Sequence, residues 1–266
     1  MGNLIKRLTA RHAFFIAISA LLLGGFEFLL CAVVSTVNVG GVLEDILKSV
    51  PPMFRSIIEE QFFGGLSAGG ILAFGWNHPI AHATGAAVAI VLATRAVAGE
   101  IERGTLELVL SQPISRFRYF SGQVAFAACS IILLSLVGAG GTLLGQAVFK
   151  FEAFTLTSMI KLALNYVLLQ SAWYGLTLLI SVASREGGRV AATGFVLVLV
   201  SFLMQVIGKL WQAAAFLLPY SLHTYYSPQT VLVQDILEAK SVAVLLGVFV
   251  ATVGAAAWRF QRRDIP

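Results

Sequence analysis

The stretch that decides the architecture of this chain is EIERGTLELVLSQPISRFRYFSGQ, residues 100–123. It is polar and dense in charge, and it separates two apolar runs that are each long enough to cross a membrane. One face of it has the three-and-four spacing of an α-helix and consists of Leu106, Val109, Leu110 and Ile114. The pattern predicts a short amphipathic helix at the membrane surface, interrupted by Pro113.

The composition of the chain is that of a membrane protein. Of its 266 residues, 58% are hydrophobic and only 12% are charged, whereas about 25% charged residues is usual in a soluble domain. The basic residues that give an isoelectric point near 9.4 occur in ones and twos between apolar runs and form no stripe, which argues against a nucleic-acid-binding surface. We therefore expect a single membrane domain over residues 1–266.

Six apolar runs reach the roughly 20 residues that a membrane-spanning helix needs. They predict an all-α integral membrane protein with spans near residues 13–36, 79–98, 119–149, 158–183, 190–209 and 240–258. Residues 1–12 are short and amphipathic and predict an N-terminal interfacial helix. Residues 37–78 predict an outer helical segment that is broken by Pro51 and Pro52.

The distribution of basic residues predicts the orientation in the membrane. With the N-terminus in the cytoplasm, twelve of the 18 Lys and Arg residues fall on the cytoplasmic side, as the positive-inside rule expects. Both termini and the helix of residues 99–118 are then cytoplasmic.

Residues 99–123 resemble the segment between the second and third spans of type-2 ATP-binding-cassette (ABC) permeases. Members of that family typically show an acidic pair, a Gly-Thr-Leu-Glu core and a Pro-x-Ser-Arg end. The matching residues here are Glu100, Glu102, Gly104, Thr105, Leu106, Glu107, Pro113, Ser115 and Arg116. The six spans, the interfacial N-terminal helix and the large first outer loop resemble the family as well.

The resemblance implies an exporter permease in the cell membrane, which forms a substrate pathway with a second, identical or related, permease copy. Two cytoplasmic ATPase subunits would drive it. The chain contains no GxxxxGK[ST] phosphate loop, so we expect ATP and Mg²⁺ in the ATPase partner, and neither a cofactor nor catalytic residues in this chain. Its apolar spans favour a hydrophobic or amphipathic cargo, such as a drug, a peptide or a lipid-like molecule.

The resemblance also implies which residues contact the ATPase. The coupling helix of residues 99–118 would place Leu106, Val109 and Leu110 in an apolar cleft of the ATPase. Its glutamates would pair with a basic rim of the ATPase. The full set of expected contacts is Glu100, Glu102, Arg103, Gly104, Thr105, Leu106, Glu107, Val109, Leu110, Pro113, Ser115 and Arg116. The second cytoplasmic loop, with Arg185, Glu186 and Arg189, would make a smaller contact.

Glu27 is a charged residue inside the first predicted span. A carboxylate that faced lipid there would cost several kcal/mol, so we expect it to face the interior of the bundle. It is a pathway candidate, as a contact for substrate or protons. The alternative is a structural hydrogen bond to a neighbouring helix near the outer boundary.

Three histidines fall on the predicted outer side. His78 and His82 are four residues apart, the spacing of two metal ligands on one helical face, and His223 lies in another outer loop. No cysteine or carboxylate is adjacent, and Asn77 and Pro79 suit the start of a helix. We therefore expect no metal site, with these histidines as the candidates if one exists.

Two other functions remain open. Some permeases of this layout assist metalloenzyme maturation, which the outer histidines would suit. An ATP-independent membrane enzyme or secondary transporter would use Glu27 with the histidines, and it would leave the pattern of residues 100–116 unexplained.

Overall fold

The computed structural model describes residues 2–36, 48–51, 68–111, 114–150 and 154–263. These residues are almost entirely helical and include no β-strand. The α-helices with bounds inside these ranges are α1 Gly2–Thr36, α2 Ala68–Trp76, α3 Pro79–Ala96, α4 Ala98–Glu102, α5 Thr105–Leu110, α6 Arg116–Phe149, α7 Leu156–Ala183, α8 Gly187–Leu210, α9 Pro228–Val233 and α10 Ala239–Arg262. Two 3-10 helices, Gln212–Tyr220 and Leu222–Tyr225, lie between α8 and α9.

Within the described ranges, six helical segments are long and apolar enough to cross a membrane, which confirms the predicted number of spans. They are Leu4–Thr36, Gly69–Ala96, Arg116–Phe149, Leu156–Ala183, Gly187–Leu210 and Ala239–Arg262. The last four begin and end within about one helical turn of the predicted positions. The bundle has two polar ends, which we name the Glu100 end, where α1 begins and α3 ends, and the His223 end, where α3 begins.

The first span differs from its prediction at the N-terminus. The predicted interfacial helix of residues 1–12 is continuous with the span, because one helix runs from Gly2 to Thr36 and residues 9–15 contain no Gly or Pro that would end it. Its 35 residues extend over about 52 Å, which exceeds the roughly 30 Å of the hydrocarbon core. Its first turns therefore reach beyond the membrane interior.

The second span is a broken helix. It begins at Gly69, so residues 69–78 of the predicted outer segment belong to it, while residues 37–47 and 52–67 of that segment lie outside the described residues. Asn77 and His78 separate α2 from α3, and His78 is the N-cap of α3, with Nδ1 accepting from the N–H of Ile80 at 3.2 Å. The Trp76 carbonyl instead accepts from the hydroxyl of Tyr226 at 3.1 Å. Side chains therefore satisfy the backbone groups that the break leaves free, as a membrane interior requires.

The second and fourth spans form the centre of the bundle. In the most apolar part of the second span 67% of the residues are buried, and in that of the fourth span 72% are buried. The corresponding fractions are 28% for α8 and 17% for α10. The α3–α7 contact is close at Gly85, where a Cβ would overlap the hydroxyl of Tyr166 and the amide of Gln170. Tyr166 also donates to the Ala81 carbonyl at 2.7 Å. The helices α8 and α10 thus lie at the periphery and expose most of their apolar side chains.

Glycines set the approach of α1 to α6. A Cβ on Gly141 would overlap the backbone carbonyl of Gly24, and a Cβ on Gly145 would lie 2.7 Å from the Cys31 sulfur. Gly24 in turn faces Val137. Small residues at this spacing let the two backbones pack directly against each other.

We expect Gly141→Ala to destabilise the bundle by about 1–3 kcal/mol, since the new methyl group meets backbone that cannot move aside. Gly140→Ala is the matched control, because a Cβ at that neighbouring glycine meets nothing within 4 Å. Thermal unfolding of the detergent-solubilised chain measures both. A melting temperature for Gly141→Ala at or above that of Gly140→Ala would contradict the assigned contact.

Candidate functional site

The predicted coupling segment is two short helices at the Glu100 end. Helix α4 ends at Glu102 and α5 begins at Thr105, and between them Gly104 adopts a left-handed φ of 65° that glycine tolerates best. The single helix expected over residues 99–118 is therefore divided at Gly104. It is divided again before α6, where Ser115 is the N-cap and its Oγ accepts from the N–H of Arg118 at 3.2 Å.

Glu100 is the buried centre of this segment. Only 3% of the residue is exposed, and its carboxylate binds three side chains of the same chain. Arg7 lies 3.2 Å from Oε2, Arg11 forms an ion pair with Oε1, and the Thr105 hydroxyl donates to Oε2 at 2.6 Å. A buried carboxylate needs such partners. They join the first turns of α1 to both short helices.

Glu102 links the segment to the second loop. Its Oε2 accepts from the N–H of Gly187, the first residue of α8, at 3.0 Å, and a carboxylate is favoured at a helix N-terminus. Gly187 also approaches Gly99, so that a Cβ on Gly187 would lie 3.4 Å from the Gly99 Cα. The start of α8 is thus held against α4.

Arginines complete the connections at this end. Arg116 donates to the carbonyls of Gln261 and Arg263, at 3.3 and 2.6 Å, and so binds the end of α10. Arg263 donates to the carbonyls of Val182 and Ser184 at the end of α7, the latter at 2.9 Å. Carbonyls at a helix C-terminus lack helical partners and attract cations.

The exposed surface of the coupling segment differs from the predicted one. Leu106 is only 1% exposed and packs in the core of this chain, so it does not present its side chain to a partner. Leu108, which helical spacing did not select, is 68% exposed, and Arg103 and Glu107 are exposed beside it. Pro113 and the side chains of Val109 and Leu110 lie outside the described part of the chain.

The second loop presents charges on the same end. Arg185, Glu186 and Arg189 are exposed, and Arg189 pairs with Glu186 at 2.8 Å within the loop. Solvent-exposed pairs of this kind contribute little stability. Their charges are available to a partner.

Glu27 faces the interior of the bundle and is completely buried. Its Oε2 lies 3.5 Å from the hydroxyl of Thr142, which also receives the indole N–H of Trp76 at 3.2 Å. Its Oε1 has no hydrogen-bond partner among the described residues. Glu27 therefore lies between α1, α2 and α6, next to Gly75 at the end of α2.

The three histidines do not form one group. His78 caps α3 and packs against Phe26 and Phe74, whereas the rings of His82 and His223 are in contact, with centroids 4.9 Å apart. Within the described ranges, no three His, Cys, Asp or Glu side chains come close enough to hold a metal ion. Burial first, and His82 second, hold the pKa of His223 well below its usual range, so His223 is neutral at pH 7.

Residues 11–265 match the family model of the ABC-2 family transporter proteins. The chain belongs to the ABC-2 transporter family. No curated protein matches the chain as a relative. This ABC-2 protein is thus a multi-span membrane protein of a transporter family, and its part is transport rather than catalysis.

We expect Glu100→Gln to loosen the coupling segment of this ABC-2 protein, because the neutral amide weakens the bonds to Arg7 and Arg11 by about 1–3 kcal/mol in total. Amide hydrogen exchange over residues 98–111 should become faster. Glu107→Gln is the matched control, since Glu107 is exposed in the same segment. Equal exchange in the two variants would show that the Glu100 ion pairs do not hold the segment.

Proposed function

We propose that this chain is the permease subunit of an ATP-driven ABC exporter and that a cytoplasmic ABC ATPase binds its Glu100 end. The observation that carries the proposal is the exposed surface of α4 and α5 on a segment bonded to several spans. Two permease copies, each with one ATPase subunit, would enclose the pathway. In this assignment the Glu100 end and both termini are cytoplasmic, as the distribution of basic residues favours.

The connections of the coupling segment suit the transmission of movement. A displacement of α4 by the ATPase would act on α1 through Glu100 and on α8 through Glu102. Arg116, just beyond the segment, extends the connection to α10. Rigid elements joined by short bonds move together, which is how ATP-driven closure of the partner would reach the spans.

The buried and exposed residues revise the expected ATPase contacts. Glu100 and Leu106 are buried and fix the segment against the rest of the chain. The residues that would contact the ATPase are therefore Arg103, Glu107 and Leu108. An exposed leucine flanked by charges is the pattern of an interface with an apolar centre and a polar rim. Arg185 and Arg189 of the second loop would contact the ATPase beside it.

The peripheral spans are available to the second copy and to lipid. Helices α8 and α10 bury least of their apolar surface within one chain. The substrate pathway would therefore be completed by a second permease copy. A hydrophobic or amphipathic cargo suits these apolar walls, and the direction of transport follows from the family resemblance.

Co-purification with a co-expressed ABC ATPase from the same genome tests the proposal. We expect Leu108→Asp with Glu107→Arg to weaken the complex at least tenfold, since residues at the centre of an interface dominate its affinity. Permease-dependent ATP hydrolysis should fall with it. Glu238→Arg is the control, as an exposed glutamate at the opposite end of the bundle.

The proposal fails if the native chain binds no ABC ATPase. It also fails if the Leu108 and Glu107 double variant binds the ATPase as tightly as the Glu238→Arg control does.

A further inference from the structure

A groove with two lobes lies between α3 and α8 at the His223 end, and we name it the α3–α8 groove. Its apolar lobe has a volume of about 210 Å³ and is lined by Ala83, Ala86, Phe195, Leu199, His82 and His223, among others. Its polar lobe has a similar volume of about 210 Å³ and is lined by Phe74, Asn77, Gln205, Val206 and Lys209. Pro79 and Phe202 line both lobes, so the two lobes are adjacent.

The wall of the groove at His223 is held by hydrogen bonds to α8. The Gln205 amide donates to the His223 carbonyl at 2.7 Å, and the imidazole Nδ1 of His223 lies 3.0 Å from the Ser201 hydroxyl. Ser221 donates to the Ser201 carbonyl at 2.7 Å. The groove is therefore formed before any ligand enters, which lowers the entropic cost of binding.

The apolar lobe opens on the flank of the bundle. Phe195, on its outer wall, is 57% exposed. On its inner wall, His82 is buried and its Nε2 lies 3.1 Å from the Asn77 Oδ1. Because that oxygen only accepts, Nε2 carries the hydrogen, and His82 Nδ1 is left as an acceptor without a partner among the described residues.

The polar lobe supplies hydrogen-bond donors. Lys209 is partly buried, and its ammonium makes no ion pair or hydrogen bond with the described residues of the chain. Asn77 uses its amide oxygen for His82, and its amide NH₂ is a donor on a residue that lines the lobe. A cation beside a neutral NH₂ donor is complementary to a small anion such as a carboxylate or a phosphate.

We propose that the α3–α8 groove binds a single-chain amphiphile with a small anionic head, and this rests on the proposed transport function because the ligand would be its cargo. The carboxylate or phosphate head lies at Lys209 and Asn77. The apolar chain lies along Phe202 into the lobe of Ala83 and Phe195.

The size of the groove sets the length of the chain. An apolar cavity of about 150 Å³ holds benzene, so the apolar lobe accommodates somewhat more than six carbon atoms. A chain of about ten carbons would fill it and reach the head position past Phe202. Decanoate is therefore a suitable probe, and decanol is the matched probe without the charge.

The experiment measures equilibrium binding of labelled decanoate to the full chain in phosphatidylcholine nanodiscs, with empty discs to subtract partitioning into lipid. We expect saturable binding to the native chain, at least tenfold weaker binding to Lys209→Gln, and nearly native binding to Lys209→Arg, because a hydrogen bond between charged groups is lost only in the first variant. Binding of decanol should be the same in all three.

A second pair of variants tests the apolar lobe without relying on Lys209. Ala83→Phe, at an exposed position that lines the groove, should weaken binding of both decanoate and decanol. Ala87 is exposed next to Ala86 and does not line the groove. Ala87→Phe should therefore leave the binding of decanoate and of decanol unchanged.

Decanoate that binds equally to native chain and Lys209→Gln overturns the proposal, as does the absence of saturable binding. A Lys209→Gln variant that loses thermal stability but keeps decanoate affinity also overturns it, because Lys209 then serves only the C-terminus of α8.

Discs containing phosphatidylglycerol identify the source of the anionic ligand. If that lipid abolishes decanoate binding, the bilayer supplies the ligand. If it does not, the ligand is a free amphiphile. The assay contains no ATPase, so its outcome is separate from that of the ATPase complex.

Discussion

The Glu100 end depends on one ion-pair cluster. A carboxylate buried within a protein is stable only with opposite charges and hydrogen-bond donors around it, and Glu100 obtains them from Arg7, Arg11 and Thr105. Because the two arginines lie on the first turns of α1, the coupling segment cannot leave its place without uncovering a charge. The contacts of Glu102 and Arg116 are then made on a segment that is already fixed.

A second constraint acts inside the membrane, where backbone groups need partners within the protein. The break in the second span meets it with side chains, His78 for the Ile80 N–H and Tyr226 for the Trp76 carbonyl. The same break directs Asn77 toward His82. Asn77, at this break, also lines the polar lobe of the α3–α8 groove.

Local patterns in the sequence predicted the spans, since length and apolarity decide where a helix crosses a membrane. They also predicted the amphipathic segment and its family. They did not predict that Glu100 pairs with Arg7 and Arg11, which are about ninety residues away, because spacing along one helix carries no information on contacts between helices. For the same reason helical spacing selects Leu106 as a surface residue although it packs within its own chain, and it does not select Leu108, which is exposed.

The continuity of α1 has a mechanical consequence. Between Arg11 and Leu23 this helix contains no glycine or proline, so it resists bending over a length of about 18 Å. A shift imposed on Arg11 would reach Leu23, whereas Gly24 and Gly25 lie between this rigid part of α1 and Glu27. A movement of the Glu100 end would thus be carried as far as the close contact between α1 and α6 at Gly24 and Gly141.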